Sequence, residues 1–340
     1  MKRFPVAFFF ACVFTVAVAM VPPAAKAQGV TYSANVGAET RDQGVQADAF
    51  FPNELWLLEN DSVTWTFVPK NEPHTVTLLA PGQVRPQAPP PAGPPFFVQK
   101  VNCTAAADYD GTACVSTLAG MSGGAKFTVK FPKAGNYRLV CLIHTDMNGT
   151  VHVLVNNAAN AALLHSQHFY DQTAADEASD ILNDRDSQKE ETIEAGRNAV
   201  LAGTGEIVAT GGGTQYRAVV RFLNGTIRIH KGESVEWTNV DPTEPHTVTF
   251  GTEPAGFIPP VPANVGAPEA DGTVTGTVTS TSEFLNSGFV VAQAPDRQGD
   301  PQLAPGTTRI RITFPNVGTY QYHCSLHDID GMLGTVIVEP

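Results

Sequence analysis

The chain is poor in cysteine and in basic residues, and it has only one long apolar run. Five of its 340 residues are cysteine, so no dense disulfide framework can carry the fold. Lys and Arg number 21 against 33 Asp and Glu, a formal net charge of −12. That balance excludes general attraction to nucleic acid or to anionic lipid, and leaves room for steering toward a cationic partner. Beyond Phe8 to Met20 no apolar stretch approaches the roughly 20 residues that a membrane-spanning helix needs.

The one apolar run sits behind Lys2 and Arg3 and ahead of Ala25-Lys26-Ala27, the layout of an export leader with a small-residue cleavage site. Residues 1–27 are therefore expected to be a signal peptide. The mature chain then begins near Gln28, is periplasmic or extracellular, and does not span a membrane. The alternatives are a retained N-terminal anchor, for which the run is short, and a lipoprotein, for which Cys12 is badly placed inside the run.

The chemistry is concentrated in a few short stretches. Near the end, Cys324-Ser325-Leu326-His327 is followed by Met332, putting a thiolate, an imidazole and a thioether on one loop. Soft sulfur donors with imidazole suit copper. A second imidazole is available upstream, from His246 in Glu244-Pro245-His246-Thr247-Val248-Thr249-Phe250. The programme occurs twice: Asn71-Glu72-Pro73-His74-Thr75-Val76-Thr77-Leu78 repeats the histidine segment, and Cys141-Leu142-Ile143-His144-Thr145-Asp146-Met147 repeats the loop. Ser62-Val63-Thr64-Trp65-Thr66 likewise parallels Ser234-Val235-Glu236-Trp237-Thr238, and a duplication accounts for all of these matches together.

These motifs resemble the cupredoxin, or blue copper, family. Tyr320-Gln321-Tyr322-His323-Cys324-Ser325-Leu326-His327 with Met332 looks most like plastocyanin, while two residues rather than four between His144 and Met147 is a spacing similar to that of amicyanin. The resemblance implies two type 1 copper sites, one of His74, Cys141, His144 and Met147, the other of His246, Cys324, His327 and Met332. It also implies electron transfer to a redox partner protein. With Cys141 and Cys324 so engaged, Cys103 and Cys114 remain in one Gly- and Ala-rich loop, and in an oxidising compartment they are expected to form a disulfide; a two-cysteine metal pair is the alternative.

Alternating runs such as Val63-Thr64-Trp65-Thr66-Phe67 and Arg309-Ile310-Arg311-Ile312-Thr313-Phe314, with turn residues between them and no β-α-β rhythm, argue for an all-β fold. The expected architecture is two antiparallel Greek-key β-sandwiches. The first spans residues 28–157 and the second 213–340. Between them lies a linker at 158–212, whose Ala174, Ala178, Ile181 and Leu182 fall at helical spacing and whose Gly211-Gly212-Gly213 end reads as flexible. The Pro-rich stretch between Ala80 and Ala125 cannot be a central strand and reads as an insertion, either a lid over the site or a solvated loop.

An enzymatic reading, of nitrite-reductase-like or multicopper-oxidase-like type, needs further histidines. No His-x-His accompanies His74 or His246 and no His-Cys-His occurs, so a trinuclear cluster is not expected. His323, on the opposite face from Cys324, is open to two readings: a ligand of an additional copper, or a half-exposed imidazole on an electron exit path. His165 and His168 are expected to face solvent. A copper carrier without a redox partner is the third class.

Overall fold

The computed structural model describes residues 29–85, 102–144, 146–183, 198–256, 261–293 and 307–340. The expected leader lies outside them. The first half contributes β1 (Thr31–Glu39), β2 (Val45–Phe51), β3 (Glu54–Leu58), β4 (Ser62–Phe67), β5 (Thr77–Leu78), β6 (Val115–Ser116), β7 (Lys126–Lys130), β8 (Gly135–Val140) and β9 (Asn148–Leu154). Two helices follow, α1 (Ala158–Ala161) and α2 (Gln167–Leu182). The second half contributes β10 (Ala199–Ala209), β11 (Thr214–Leu223), β12 (Thr226–His230), β13 (Ser234–Thr238), β14 (Thr249–Phe250), β15 (Thr273–Thr277), β16 (Leu285–Asn286), β17 (Arg309–Thr313), β18 (Gly318–His323) and β19 (Leu333–Glu339).

The fold is all-β, and each half is a sandwich built on the alternation seen in the sequence. Val63, Trp65 and Phe67 of β4 are fully buried, as are Val235 and Trp237 of β13 and Ile310 and Ile312 of β17. In the second core the Trp237 ring meets Phe250 and Tyr322 with centroids 5.8 and 5.2 Å apart. Trp237→Ala is expected to cost roughly 3–5 kcal/mol, read from denaturant unfolding of the metal-free protein; a loss below 1 kcal/mol would show that the core does not depend on this ring.

In the first core the Tyr109 hydroxyl donates to the Leu79 carbonyl at 2.5 Å. Burial first, then the neighbouring Tyr137 and Asp110, push its phenol up to about 12. The protonated form is thus the one the fold prefers. Stability from this group is complete below the ordinary tyrosine value of about 10 and is lost as pH rises through about 12. A Tyr109→Phe chain is expected to be less stable at neutral pH by about 1 kcal/mol and to show a shallower alkaline decline. Parallel declines in the two chains would refute this.

Three features differ from the sequence reading. First, the sandwiches are not purely antiparallel: β1 runs parallel to β4, β3 to β9, β10 to β13, β12 to β19 and β15 to β17. Alternation reports which face a residue occupies and not the direction of its neighbour strand.

Second, Ala199–Ala209 lies in the stretch expected as linker yet forms β10, paired with β11 and β13. Gly203 and Gly205 interrupt its apolar alternation and conceal it. β11 also pairs antiparallel with β2, Tyr216 opposite Asp48 and Val219 opposite Val45, so one nine-stranded sheet runs through both halves.

Third, α2 is more than a connector. Ala174 and Ile181 pack on Ala47, Ala49 and Phe51 of β2. The Tyr170 hydroxyl accepts from the backbone N–H of Trp56 at 3.1 Å and donates to its carbonyl at 2.9 Å, while the Gln167 side chain does the same for Ser33. The helix thereby covers backbone groups that would otherwise be open for pairing. His165 and His168 are both exposed as expected, but only His168 is on the helix; His165 precedes its N-cap, Ser166, and stacks on Phe169.

Candidate metal centres

Each site is assembled from a strand end and a loop. In the first half β5 carries the His74 segment beside β8, with Thr77 opposite Val140, and β8 runs out into Cys141. Strand alternation turns Tyr137, Leu139 and Cys141 inward together, and Cys141 is fully buried. The loop then folds back on itself: the Cys141 N–H donates to the Met147 carbonyl at 3.0 Å and the Met147 N–H to the His144 carbonyl at 3.4 Å. The second site repeats the closure, with Cys324 N–H to Met332 carbonyl at 3.1 Å and Met332 N–H to His327 carbonyl at 3.0 Å. Met147 and Met332 are both fully buried in the same cores as their cysteines.

The donors converge. His74 Nδ1 lies 2.9 Å from His144 Nδ1, and Cys141 Sγ is 3.8 Å from His144 Nδ1. In the second site His246 Nδ1 lies 3.2 Å from His327 Nδ1, with Cys324 Sγ 3.9 and 3.6 Å from them. The thiols accept hydrogen bonds: the Thr75 N–H is 3.4 Å from Cys141 Sγ, the Ile143 N–H 3.4 Å, and the Thr247 N–H 3.3 Å from Cys324 Sγ. Buried imidazole nitrogens aimed at one another and at a thiol, with a thioether packed in the same core, form the donor set that suits copper. The residues present fit such an ion.

Electrostatics agree with that fit. Burial alone would raise the Cys141 thiol, yet the hydrogen bonds and charges of His144 and His74 hold it well below its usual range; His246 and His327 do the same to Cys324. Burial opposes a charged His327 ring, but the Cys324 thiolate, Glu72 and Glu244 raise it to about 10. Thiolates are the metal-binding form of cysteine, so both sites hold the sulfur ready.

Several residues at the sites were given no role by the sequence, Thr75 and Thr247 among them although both stand in the repeated Pro-His-Thr-Val-Thr segment. Thr75 Oγ1 accepts from the Leu142 N–H at 2.7 Å, and Thr247 Oγ1 from the Ser325 N–H at 2.7 Å, fixing the residue after each cysteine. Arg85, in the Pro-rich insertion, is buried and donates from Nε to the Cys141 carbonyl at 2.8 Å and from Nη2 to the Ile143 carbonyl at 3.2 Å. Cys103 and Cys114 are joined in a disulfide, and both pack with Leu142 and Ile143. The described parts of the insertion thus cover the first ligand loop, the lid-like reading of the two. Gly37 and Gly203 sit at matching bulges of β1 and β10 with positive φ, against the Nε2 atoms of His74 and His246.

The two ligand loops also face each other across the junction of the halves. His144 Nε2 is 2.9 Å from Glu72 Oε1 and 3.5 Å from Glu244 Oε1, while His327 Nε2 is 3.9 Å from Glu72 Oε2. Burial would raise the Glu72 carboxyl, but the His144 hydrogen bond and the charges of His144, His327 and His74 bring it down to about 2. Burial and the neighbouring carboxylates keep Glu244 well above its usual range instead. His323 belongs to neither cluster: it is half-buried on β18, its Nε2 3.3 Å from Glu253 Oε1, and no group of three metal-capable side chains among the described residues includes it.

Comparison with known proteins bears on the second half. Residues 209–339 match the plastocyanin/azurin family of copper-binding proteins. No curated protein matches the chain. Similar solved structures include an oxidised point mutant of amicyanin, 20% identical over 35% of this chain and 74% of that chain with a TM-score of 0.21. Oxidised plastocyanin from Dryopteris crassirhizoma is 20% identical over 42% of this chain and 99% of that chain, also with a TM-score of 0.21.

Proposed function

We propose that the chain, whose residues 209–339 match the plastocyanin/azurin family of copper-binding proteins, is an exported electron-transfer cupredoxin with two type 1 copper sites, one in each half. His74, Cys141, His144 and Met147 hold one ion, and His246, Cys324, His327 and Met332 the other. Domain limits near residues 28–157 and 213–340, extended upstream by β10, go with this reading, as does a redox partner protein. Among the described residues no helix is long and apolar enough to cross a membrane.

The observation that carries the reading is the doubled convergence of a buried thiol and two Nδ1 atoms, each on a loop that closes on a buried methionine. Bound copper supplies a single-electron couple between Cu(II) and Cu(I). The chain's part is to keep each sulfur deprotonated, exclude water from it and hold the donors still. Backbone N–H groups on the sulfur and the Thr75 and Thr247 hydroxyls do the holding, and such surrounding hydrogen bonds tune the couple. The half-exposed His323, joined by its backbone to Cys324, lies on a short covalent route from the second sulfur to the surface.

Copper analysis with visible absorption and EPR on the mature protein tests this. Two coppers per chain with intense thiolate absorption at both are expected. A third, non-blue copper with turnover would make the protein an enzyme. Rapid loss of copper to a chelator, without reversible reduction, would make it a carrier.

A further inference from the structure

The rings of His144 and His327 are each only 4% exposed, because the two halves are set with these edges toward one another. Neither edge can meet an outside protein. One side chain comes within 4 Å of both rings: Glu72 places Oε1 2.9 Å from His144 Nε2 and Oε2 3.9 Å from His327 Nε2. The first contact is a hydrogen bond. The second, at 3.9 Å, is longer than a hydrogen bond and is an ion-pair approach.

We propose that Glu72 bridges the two centres and that the protein exchanges an electron internally between them. This rests on the two-site reading above. The path is short and mostly covalent or hydrogen-bonded: from one set of donors through the His144 ring, across the carboxylate of Glu72, and through the His327 ring to the other set. Electronic coupling falls off far more slowly along bonds and hydrogen bonds than across empty space, which favours this route over any around it. One electron moves; the centre that releases it is oxidised from Cu(I) to Cu(II), the other is reduced from Cu(II) to Cu(I), and no bond is made or broken and no proton is transferred.

The surroundings of the bridge hold its span constant. Each half steadies the ligand loop of the other. Thr214 Oγ1 donates to the Asp146 carbonyl at 2.6 Å in the first loop, and Asn71 Nδ2 donates to Asp330 Oδ1 at 2.8 Å in the second, with Gln43 Nε2 on the same oxygen at 3.3 Å. Within the second half, Arg221 Nη1 adds a bond to the Asp330 carbonyl at 2.8 Å. Below the loops the β2–β11 pairing continues one sheet from half to half, so the sandwiches cannot swing apart without breaking a ladder. Glu244, 3.5 Å from His144 Nε2, approaches the same ring but has no contact of this kind to His327.

The test uses the full chain with Glu72→Gln, Glu72→Ala and, for comparison, Glu244→Gln. In zinc-loaded protein the Nε2–H resonances of both His144 and His327 are expected to shift with Glu72→Gln, whereas movement of the His144 resonance alone would overturn the bridge. In copper-loaded protein, after pulsed reduction of one equivalent, equilibration between the centres is expected at a rate independent of protein concentration. Glu72→Ala should slow it at least tenfold with both visible spectra intact, and Glu244→Gln, which leaves the Glu72 contacts in place, should slow it by less than threefold. If Glu72→Ala fails to fold, the zinc-loaded Glu72→Gln resonances decide alone. Equilibration that scales with protein concentration, or that is equally fast in Glu72→Ala, refutes the proposal while two blue coppers per chain leave the two-site reading standing. A single copper per chain refutes both.

Discussion

Cys324→Ser is expected to abolish the thiolate absorption of the second centre while that of the first persists, and Cys141→Ser to do the reverse, each variant keeping one copper of two. A serine hydroxyl stays protonated at neutral pH and is a hard oxygen, so the donor set loses the member that favours copper over other divalent ions. Changing only the partner of a metal ligand costs roughly 10–100-fold in affinity, and loss of the ligand itself should exceed that range. The fold should survive. Both sulfurs are fully buried, and a hydroxyl there keeps the neighbouring N–H donors satisfied, for a cost of about 1–3 kcal/mol in the metal-free protein. Copper analysis, absorption and urea unfolding of each variant make the comparison. Retention of both absorptions in either variant would remove that cysteine from the proposed ligands.

Gly203→Ala is expected to disable the second site from behind. The backbone at Gly203 has φ of +83°, and a Cβ there would lie 2.0 Å from His246 Nε2 and 2.4 Å from its Cδ2. No rotamer relieves a clash made by Cβ itself, so either the His246 ring leaves its place or β10 gives up its bulge. Overpacking of this kind costs about 1–3 kcal/mol, to which the left-handed backbone adds about 1 kcal/mol for an L side chain. Copper affinity at the second site should fall at least tenfold with the first site unaffected. Gly37→Ala is the matching change in the first half, its Cβ 2.5 Å from His74 Nε2. Wild-type copper loading in Gly203→Ala would mean that the ring can move freely, contrary to its full burial.

Three of the four proposed ligands of each site are local in sequence, and the fourth, His74 or His246, was legible only through its repeated segment. A cysteine, a histidine three positions on and a methionine shortly after are brought together by one loop closed with two backbone hydrogen bonds. Period-two alternation then placed Cys141 and Cys324 inward and chose the core from Val63, Trp65 and Phe67 to Ile310, Ile312 and Phe314. The disulfide was legible by elimination among few cysteines. Arg85, Thr75 and Thr247 were not. An arginine in a Pro-rich stretch and a threonine in a strand are ordinary residues until the fold shows what their donors and acceptors face.

Strand pairing was the larger omission. Nothing in Val45–Phe51 announces that it pairs with Thr214–Leu223, some 170 positions away, because an extended segment offers the same backbone groups to any neighbour. Glycines hid β10 for a related reason: the bulge that lets Gly203 approach His246 also breaks the alternation by which a strand is recognised.

Sequence by itself therefore determined the all-β class, the two soft donor sets and the disulfide, all of which depend on residue type and short spacing. Only the tertiary structure decided that the halves share one sheet, that His144 and His327 are turned toward each other, and that Glu72 stands between them. Those facts depend on how two separately legible units pack, and packing is settled by shape and by pairing between residues far apart in the chain, for which local pattern carries no signal.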